Sequence, residues 1–322
     1  MSRVVVVGSF NVDHVWHCAA LPRAGETLAG TYASGPGGKG FNQAVAATLA
    51  GAPTTFVCAL GDDDGGRLAR RLATRHGIDL RAQDSDAATG TAGIHVDGAG
   101  NNSIVIGPGA NAALTPAFVA AQGEAIASAA VVLAQLESPG DAIVEALRRA
   151  RASGAHTLLN PAPANADCSR ELLAVSEVLT PNETEFSALL ARHCGVEVEP
   201  GALATMDPER LHRLYHTLLP RGTVVVTLGA AGCFVSHRED TLHGDARSHY
   251  RGAAAEARVV DTTGAGDAFN GALAASLAGS PGQPFAASVR FAACYAALST
   301  ERAGAADAMP HAHEVAARYP AG

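Results

Sequence analysis

Residues 4–8 read VVVVG, a short apolar run that ends at a glycine and has no polar alternation. A run of this kind favours a strand buried on both faces, as in a parallel sheet that helices cover on each side. Further apolar runs follow at residues 54–61, 129–137, 156–163, 177–182 and 223–229. Their recurrence predicts that the core of the protein is a parallel β-sheet.

Helix-length segments rich in Ala, Leu and Arg accompany these runs, at residues 62–76, 139–153, 207–220, 267–278 and 284–300. Strands that alternate with helices build βαβ units with right-handed crossovers. We therefore predict an α/β fold with a doubly wound, mostly parallel sheet flanked by helices. The whole chain, residues 1–322, is expected to form this single domain.

Two other segments are more polar and alternate in part, at about residues 12–34 and 90–107. The second contains the turn sequence DGAGNN (residues 97–102), which is typical of a hairpin. Strands with one solvated face do not suit a sheet buried on both sides. We predict that these segments form a small β-sheet lid on the main domain.

The composition narrows the class of function. Of the 322 residues, 48% are hydrophobic and 17% are charged, and the net charge is −8 at pH 7. This composition suits a large core, and without a basic tail it disfavours nucleic-acid binding and favours a small-molecule ligand. The six cysteines are dispersed and form no C-x-x-C pair, which suits reduced thiols in a cytoplasmic protein. The sequence has no apolar stretch long enough for a signal peptide or a membrane span, so we expect a protein that does not bind membranes.

The stretch GPGGKGFN (residues 35–42) places one lysine among glycines just before an alanine-rich helix. A Walker A loop needs a hydroxyl residue after the lysine to hold magnesium, and this chain has Gly40 there. A Rossmann fingerprint fails as well, because only Gly8 remains of the three glycines expected after the first strand. In isolation, such a loop is most often a plain turn before a helix.

A better anion site is DTTGAGDAFNG (residues 261–271), where small residues directly precede a helix. The N–H groups of Gly264, Ala265 and Gly266 lack helical partners there, and the helix dipole favours an anion beside them. The carboxylate of Asp267 can then meet a substrate hydroxyl next to that anion. The alternative is that Asp267 only caps the helix.

Together the two stretches resemble the signatures of the ribokinase (PfkB carbohydrate kinase) family, a Gly-Gly-Lys-Gly-x-Asn loop followed by an Asp-Thr-x-Gly-Ala-Gly-Asp turn. Further matches, in order, lie at residues 8–14, 23–27, 109–116, 135–139, 160–163, 180–185 and 227–232. The resemblance implies a ribokinase-like fold and an ATP-dependent kinase that phosphorylates the primary (5-)hydroxyl of D-ribose to ribose 5-phosphate. It also implies Mg²⁺, K⁺ and a homodimer formed through the lid.

The resemblance further implies roles for individual residues. The general base is Asp267, and the anion hole consists of Gly264, Ala265 and Gly266. The sugar contacts are Asn11, Asp13, Gly38, Lys39, Asn42 and Glu137. The nucleotide contacts are Asn182, Thr227, Gly229 and Asn270. Glu185 orders Mg²⁺ through water, and the ligands of the monovalent cation are Asp261, Thr263, Ser299, Arg302 and Gly304.

Purely structural roles are open for several of these residues. Asn11 and Asp13 are common turn residues, and Glu137 is a plausible carboxylate for the first turn of a helix. Asn182 with Glu185 fits a capping box at a helix start. A non-catalytic sugar- or nucleotide-binding protein is a further alternative, against which the intact Asp267 argues.

The chain also departs from the family pattern. Ala308 stands where the family usually has a serine hydroxyl as the last ligand of the monovalent cation. Phe41 replaces a small residue in the sugar loop, and either packs under the helix or, with Trp16 of the lid, forms an aromatic pocket for a nucleoside base. A nucleoside kinase, or another sugar kinase of the family, is therefore the alternative function.

Overall fold

A computed structural model describes residues 2–238 and 241–320 of the chain. Its strands are β1 (Arg3–Val7), β2 (Asn11–Cys18), β3 (Gly30–Gly37), β4 (Thr54–Gly61), β5 (Asp79–Ser85), β6 (Gly90–Val96), β7 (Asn102–Gly107), β8 (Ala129–Ala134), β9 (His156–Leu159), β10 (Val178–Leu179), β11 (Thr223–Thr227), β12 (Cys233–Ser236) and β13 (His249–Gly252).

The helices of the same part of the chain lie mostly between these strands. They are α1 (Lys39–Leu49), α2 (Asp64–His76), α3 (Pro116–Ala121), α4 (Gly123–Ala127), α5 (Gly140–Ala152), α6 (Arg170–Val175), α7 (Glu183–Cys194), α8 (Pro208–Leu218), α9 (Ala265–Gly279), α10 (Phe285–Ser299) and α11 (Ala312–Arg318). None of the described helices is both long and apolar enough to cross a membrane.

The main sheet has nine strands in the order β13-β12-β11-β10-β9-β8-β1-β4-β5. The strands from β11 to β5 pair in parallel, and β12 and β13 extend one edge in antiparallel. The chain adds strands first on one side of β1 and then on the other. The predicted doubly wound, mostly parallel fold is therefore confirmed.

The apolar run that opens the chain lies at the centre of this sheet. Val4 and Val6 point into the layer that contains α1, α9 and α10, whereas Val5 and Val7 point into the layer that contains α5 and α7. All four side chains are fully buried. This two-sided burial explains why β1 has no polar alternation.

The apolar runs do not predict β5, β12 and β13. The first is an edge strand of sequence DLRAQDS, and it is only partly buried. The other two have four residues each, and β13 forms the opposite edge of the sheet. Short or half-exposed edge strands do not produce the apolar run by which central strands are recognised.

The second sheet has four strands in the order β3-β2-β6-β7, which confirms the predicted small sheet. The strands β2 and β3 pair without a break from Asn11↔Gly37 to Cys18↔Gly30. Because side chains alternate along a strand, Asn11 and Asp13 lie on one face of this sheet and Trp16 lies on the other.

Two close approaches of backbone bring α1 to the centre of the molecule. A Cβ atom on Gly40 would lie 2.5 Å from the Ser9 nitrogen, where the helix begins against the end of β1. A Cβ atom on Gly271 would lie 2.5 Å from both the Ala46 Cβ and the Gln43 carbonyl oxygen, where α1 crosses α9. Glycine at these two positions therefore lets α1 contact both β1 and α9 directly.

Candidate functional site

Polar side chains collect at the carboxyl ends of the parallel strands, where α/β folds usually bind ligands. A small polar cavity of about 170 Å³ lies there, lined by Lys39, Asn182, Glu185, Asp267 and the turn of residues 264–266, among others. A larger cavity of about 680 Å³ adjoins it and shares Asn182, Thr227, Thr262, Ala265 and Gly266 with it. The shared residues place the turn of residues 264–266 between the two cavities.

The larger cavity is mostly apolar away from that turn. Gly229, Phe269 and Ala293 line it, together with residues 254–257 and Ala296. Thr227 and Gly229, which are expected to contact the nucleotide, both line this larger cavity. A wide apolar cleft next to a small polar one suits a ligand with a flat ring at one end and charged groups at the other.

Asp267 stands in the first turn of α9 and is buried. Its Oδ2 accepts a hydrogen bond of 2.9 Å from the Asn42 amide, and its Oδ1 accepts one of 2.9 Å from the Gln43 amide. Burial raises the pKa of Asp267, while Lys39 and the two amides partly offset that rise. The helix cap itself is Gly264, so Asp267 is not the N-cap residue.

Lys39 is the only lysine in the chain, and it begins α1. Burial lowers the pKa of its ammonium group, but the nearby carboxylates of Asp267, Glu137 and Glu185 outweigh burial, and the net pKa is raised. Lys39 is therefore a firmly charged cation in the small cavity. The sequence assigns Lys39 to the sugar, and the structure adds that it lines the same cavity as the turn of residues 264–266.

Glu137 follows β8 and accepts hydrogen bonds from the Ser9 hydroxyl at 2.6 Å and from the Lys39 backbone N–H at 3.0 Å. Its carboxylate thus satisfies an N–H group at the start of α1 while facing the Lys39 charge. Glu137 therefore caps the start of α1, which is distant in sequence, and not the start of α5, the helix that follows it in the chain.

Asn11 and Asp13 lie on one face of the small sheet. The Asn11 Oδ1 accepts a hydrogen bond of 2.8 Å from the Asn111 amide, and Asn111 also bonds to both backbone groups of Phe10. A Cβ atom on Gly37 would lie 2.2 Å from either carboxylate oxygen of Asp13, so this glycine leaves room for that carboxylate. Burial, with Glu137 and Asp267 nearby, raises the pKa of Asp13 to about 6.

Three glycines of the stretch at residues 35–42 make room for neighbouring parts of the protein. Gly38 has a φ of 88°, in the left-handed region that favours glycine, and precedes α1 as its cap. Gly40 and Gly37 make room for Ser9 and for Asp13, as described above. A Cβ atom at Gly37, Gly38 or Gly40 would meet a neighbouring part of the chain, so these three glycines allow close packing within the protein.

Asn182 and Glu185 form a complete capping box at the start of α7. The Asn182 Oδ1 accepts a hydrogen bond of 2.8 Å from the Glu185 N–H, and the Glu185 Oε2 accepts one of 2.9 Å from the Asn182 N–H. The purely structural role open to this pair, a capping box at a helix start, is thus present. Both residues also line the small cavity, and burial raises the pKa of Glu185 against the lowering effects of the Asn182 N–H and Lys39.

Asn270 lies one turn after Asp267 on α9 and is fully buried. Its amide nitrogen donates to the Gly266 carbonyl at 2.8 Å, and its Oδ1 accepts from the Thr180 hydroxyl. Both ends of the amide are thus engaged within the protein. Asn270 lines the small cavity and ties α9 to the end of β10.

The turn of residues 264–266 differs in one respect from the sequence-based expectation. The Ala265 N–H donates to the Thr262 carbonyl at 3.1 Å, which closes a turn at the start of α9. To bind an anion, this N–H has to leave or share that bond. Gly264 has a φ of 75° and packs against Ala305, where an added Cβ atom would lie 2.9 Å from the Ala305 Cβ.

Asp261 joins this turn to the segment after α10. Its Oδ1 accepts from the Thr263 N–H and its Oδ2 from the Gly304 N–H, each at 2.9 Å. Burial acts to raise the pKa of Asp261, but these hydrogen bonds outweigh it and lower the pKa. The Ser299 carbonyl, at the end of α10, accepts from the Arg302 N–H at 3.3 Å, so the five residues of the expected cation site lie in the loop before α9 and in the loop that starts at the end of α10. Ala308 is buried nearby in the same C-terminal segment and provides no side-chain oxygen.

The aromatic residues that suggested a nucleoside pocket have other surroundings. Phe41 is buried and packs edge-on against Phe10, with ring centroids 5.1 Å apart, and against Phe56. Trp16 stacks on His95 at 5.5 Å, on the sheet face opposite Asp13. Phe41 is therefore a core residue, as the simpler interpretation holds, and Trp16 does not share a face with the residues expected to bind sugar.

Several residues of the site were missed from the sequence. Gln43 contacts Asp267, Asn160 contacts Gln43, Thr180 contacts Asn270, and Asn111 contacts Asn11. Each lies inside a stretch that resembles the family or directly next to one. The available signal was a run of amides and hydroxyls at strand ends, but only the fold reveals which of them meet.

The chain matches the family model described as pfkB family carbohydrate kinase over residues 1–312. It is 38% identical to a ribokinase of Mus musculus over 315 residues, which cover 96% of this chain and 92% of the mouse protein. It is also 38% identical to a bifunctional ribokinase/ribose-5-phosphate isomerase A of Fructilactobacillus sanfranciscensis, of which it spans only 55%. The structure of Arabidopsis thaliana ribokinase complexed with ribose and ATP superposes with a TM-score of 0.86 at 30% identity, over 100% of this chain and 99% of that one.

Proposed function

The chain belongs to the pfkB family of carbohydrate kinases, and we propose that it transfers the γ-phosphoryl group of ATP to the primary hydroxyl of D-ribose. One observation carries this proposal. The buried Asp267 is held by two amides beside a turn of small residues that separates a polar cavity from a larger apolar one. This arrangement suits an acceptor hydroxyl on one side and a nucleoside triphosphate on the other.

In the proposed reaction, the sugar oxygen attacks the γ-phosphorus while Asp267 takes the hydroxyl proton. The new O–P bond forms as the bond from that phosphorus to the β–γ bridging oxygen breaks, and its electron pair leaves with ADP. In a loose transition state the hydroxyl proton is transferred late, so a weak base such as a carboxylate is sufficient. The N–H groups of Gly264 and Gly266, and of Ala265 once its turn bond is shared, would stabilise the transferring phosphoryl oxygens.

Lys39 supports the same step by its charge. Its ammonium lines the small cavity with Asp267 and Glu185, between the expected positions of the sugar and of the phosphates. A compact cation there offsets the charge that builds up as the phosphoryl group moves. We propose that the nucleotide contacts Asn182, Thr227, Gly229 and Asn270.

The sugar would lie under the small sheet. Asn11, Asp13 and Glu137 offer oxygen acceptors, and the buried Oδ1 of Asn42 has no hydrogen-bond partner among the described residues. A buried acceptor without a partner is unfavourable, and a sugar hydroxyl would satisfy it. Gly38 would contribute only backbone. Closure of the small sheet over the sugar would exclude water as a competing acceptor.

Mg²⁺ fits this site with Glu185 as a second-sphere partner. The Oε2 of Glu185 already accepts the Asn182 N–H, so binding through water demands less of this carboxylate than direct coordination does. Mg²⁺ usually keeps several waters and takes further ligands from substrate phosphates. When bound, the ion would neutralise charge on the phosphates.

A monovalent cation, K⁺ in our proposal, fits the two loops tied by Asp261. The Asp261 carboxylate has acceptor capacity beyond its two backbone bonds, and backbone carbonyls of Thr263, Ser299, Arg302 and Gly304 would complete the site. Ala308 removes the one side-chain hydroxyl expected there. Turnover in KCl should exceed turnover in NaCl, and equal rates would argue against the site.

A homodimer through the small sheet is also proposed. This sheet exposes Tyr32, Ile104 and Val105, whose side chains are 54%, 51% and 70% exposed. Tyr32 and Val105 lie on the sheet face that carries Trp16, whereas Ile104 lies on the face that carries Asp13. Exposed apolar side chains concentrated on one small sheet are typical of an interaction surface. Light scattering should give about twice the chain mass of 32.5 kDa.

We place the enzyme in the cytoplasm, which suits its six free cysteines.

The nucleoside kinase alternative loses its main support, because Phe41 is in the core and Trp16 faces away from Asp13. We therefore expect D-ribose to give the highest kcat/KM in an ADP-release assay with ATP, compared with deoxyribose, fructose, fructose phosphates and nucleosides. Omitting Mg²⁺ should abolish the rate. A nucleoside that exceeds ribose in kcat/KM would overturn the assignment.

The pKa of Asp13 predicts how sugar binding depends on pH. Because the pKa is raised to about 6, the carboxylate is mostly ionised above that pH and protonated below it. Protonation removes a charged acceptor for sugar hydroxyls, so the KM for the sugar should rise as pH falls from 7.5 to 5. The KM for ATP should change much less. Asp13→Asn should raise the sugar KM and remove its pH dependence, and a sugar KM that is flat in the unmodified enzyme would refute the expectation.

A further inference from the structure

Gln43 lies on α1 and is fully buried. Its Nε2 donates to the Asp267 Oδ1 at 2.9 Å and to the Asn160 Oδ1 at 3.1 Å. Its Oε1 accepts from the Gln135 Nε2 at 2.5 Å. Both ends of this one side-chain amide are therefore engaged, and one of its partners is the proposed base.

The partners fix which way the Gln43 amide points. Asn160 is itself held, because its Nδ2 donates to the Thr180 carbonyl at 2.8 Å, so its Oδ1 faces Gln43 as an acceptor. Gln135 offers Gln43 a donor from the other side. A flipped Gln43 amide would place its oxygen against both the Asp267 carboxylate and the Asn160 oxygen. The chain of hydrogen bonds from Gln135 through Gln43 to Asp267 thus has one favourable direction.

Asn42 and Gln43 hold the two oxygens of Asp267 separately. Asn42 donates to Oδ2 and Gln43 donates to Oδ1, which uses two of about four acceptor positions of the carboxylate. The contact depends on Gly271, since a side chain there would meet the Gln43 carbonyl and push α1 from α9. The carboxylate plane is therefore set by α1 before any substrate arrives.

We propose that Gln43 is a positioning residue of phosphoryl transfer, which orients the Asp267 carboxylate so that a free lone pair meets the sugar hydroxyl. The role rests on the proposed function, in which Asp267 is the base. Gln43 itself touches no reacting atom. Its hydrogen bond also stabilises the ionised form of Asp267, since an amide donor favours a carboxylate over the neutral acid. That effect opposes the upward pKa shift that burial causes.

The test compares Gln43→Met and Gln43→Glu with the unmodified enzyme. The first removes the amide donor at similar volume, and the second keeps the shape but places a carboxyl group against Asp267. Loss of a hydrogen bond to a charged group predicts a kcat about 10- to 100-fold lower in each. The acid limb of the pH–kcat profile should move to higher pH, while the KM for ATP stays within about 2-fold. If Gln43 only fills space, Gln43→Met, which keeps a similar volume without adding a charge, should behave like the unmodified enzyme.

Two further variants control for folding. Gln135→Met leaves Gln43 in place but removes the donor that orients it, so it should lower kcat in the same direction and by less. Gln83→Met is the matched control, because Gln83 is a half-buried glutamine that donates to the Ala113 carbonyl at 2.7 Å, away from the site. It should leave kcat and the pH profile unchanged.

A measurement without turnover separates this inference from the proposed function. The ¹³C resonance of the Asp267 carboxyl, assigned through its absence in Asp267→Asn, reports the pKa of that group directly. It should titrate at higher pH in Gln43→Met than in the unmodified protein. If no sugar is phosphorylated, the proposed function fails while this titration still decides the role of Gln43. An unmoved titration, or a kcat within about 2-fold of the unmodified enzyme, would overturn the inference.

Discussion

Asp267→Asn should lower kcat by about 10²- to 10⁴-fold, the usual contribution of a general base. The amide keeps the size of the carboxylate but has no lone pair basic enough to take the sugar proton. The side chain of Asp267 does not line the larger cavity, in which we propose that ATP binds, so ATP affinity should change little. Stopped-flow or steady-state ADP release measures the first effect, and fluorescence or calorimetric titration of ATP measures the second.

Asp64→Asn is a matched control for this variant. Asp64 also stands in the first turn of a helix, α2, but its side chain is fully exposed. This substitution should leave kcat unchanged. Retention of more than about a tenth of the rate in Asp267→Asn, with a normal unfolding temperature, would remove Asp267 as the base and point to solvent or phosphate as the proton acceptor.

Lys39→Met should lower kcat/KM by about 100- to 1,000-fold, since removing one partner from a buried charge cluster is among the largest single-residue effects. Asp267, Glu137 and Glu185 would then face one another without a cation. Because Lys39 lowers the pKa values of Asp267 and Glu185, both pKa values should rise in this variant, and the acid limb of the rate profile should move to higher pH. Lys39→Arg should rescue this only in part, because a planar guanidinium does not replace a compact ammonium.

Because the chain has a single lysine, the charge state of the Lys39 ammonium can be observed directly by NMR. Lysine labelled with ¹³C at Cε gives one side-chain resonance, which reports Lys39 without further assignment. Because the raised pKa keeps the ammonium charged, this resonance should remain that of the charged form at pH values where a free lysine titrates. Arg71→Met removes a positive charge from an exposed position on α2 and is the control. A Lys39→Met enzyme as active as Arg71→Met would exclude the proposed electrostatic role.

The sequence predicts the fold well because the apolar runs follow directly from burial. A strand covered on both faces is largely apolar, as β1 is from Val4 onward and β4 is from Phe56 onward, and a strand with a solvated face tends to alternate, as β2 does in part. The edge strand β5 escapes this rule because none of its residues is fully buried. The two stretches of residues 35–42 and 261–271 are expected to belong to one site, and the structure brings them together, since Asn42 of the first donates to Asp267 of the second.

The partners of the site residues could not be predicted in the same way. Asp267 is held by Asn42 and Gln43, more than 220 positions earlier in the chain. Three carboxylates from distant parts of the chain act on the Lys39 ammonium, namely Asp267 of α9, Glu185 of α7 and Glu137 of the loop after β8. No local pattern specifies which of 31 acidic residues meet one lysine.

The sequence by itself determined the strand and helix alternation, the two glycine-rich stretches and the family they indicate. These features depend on local composition and on the period of burial. Only the tertiary structure decided that Phe41 is in the core, that Trp16 faces away from Asp13, and that the loop glycines accommodate Asp13 and the neighbouring backbone. Such questions depend on the close approach of α1 to β1 and α9, which is a property of packing between distant segments and has no period along the chain.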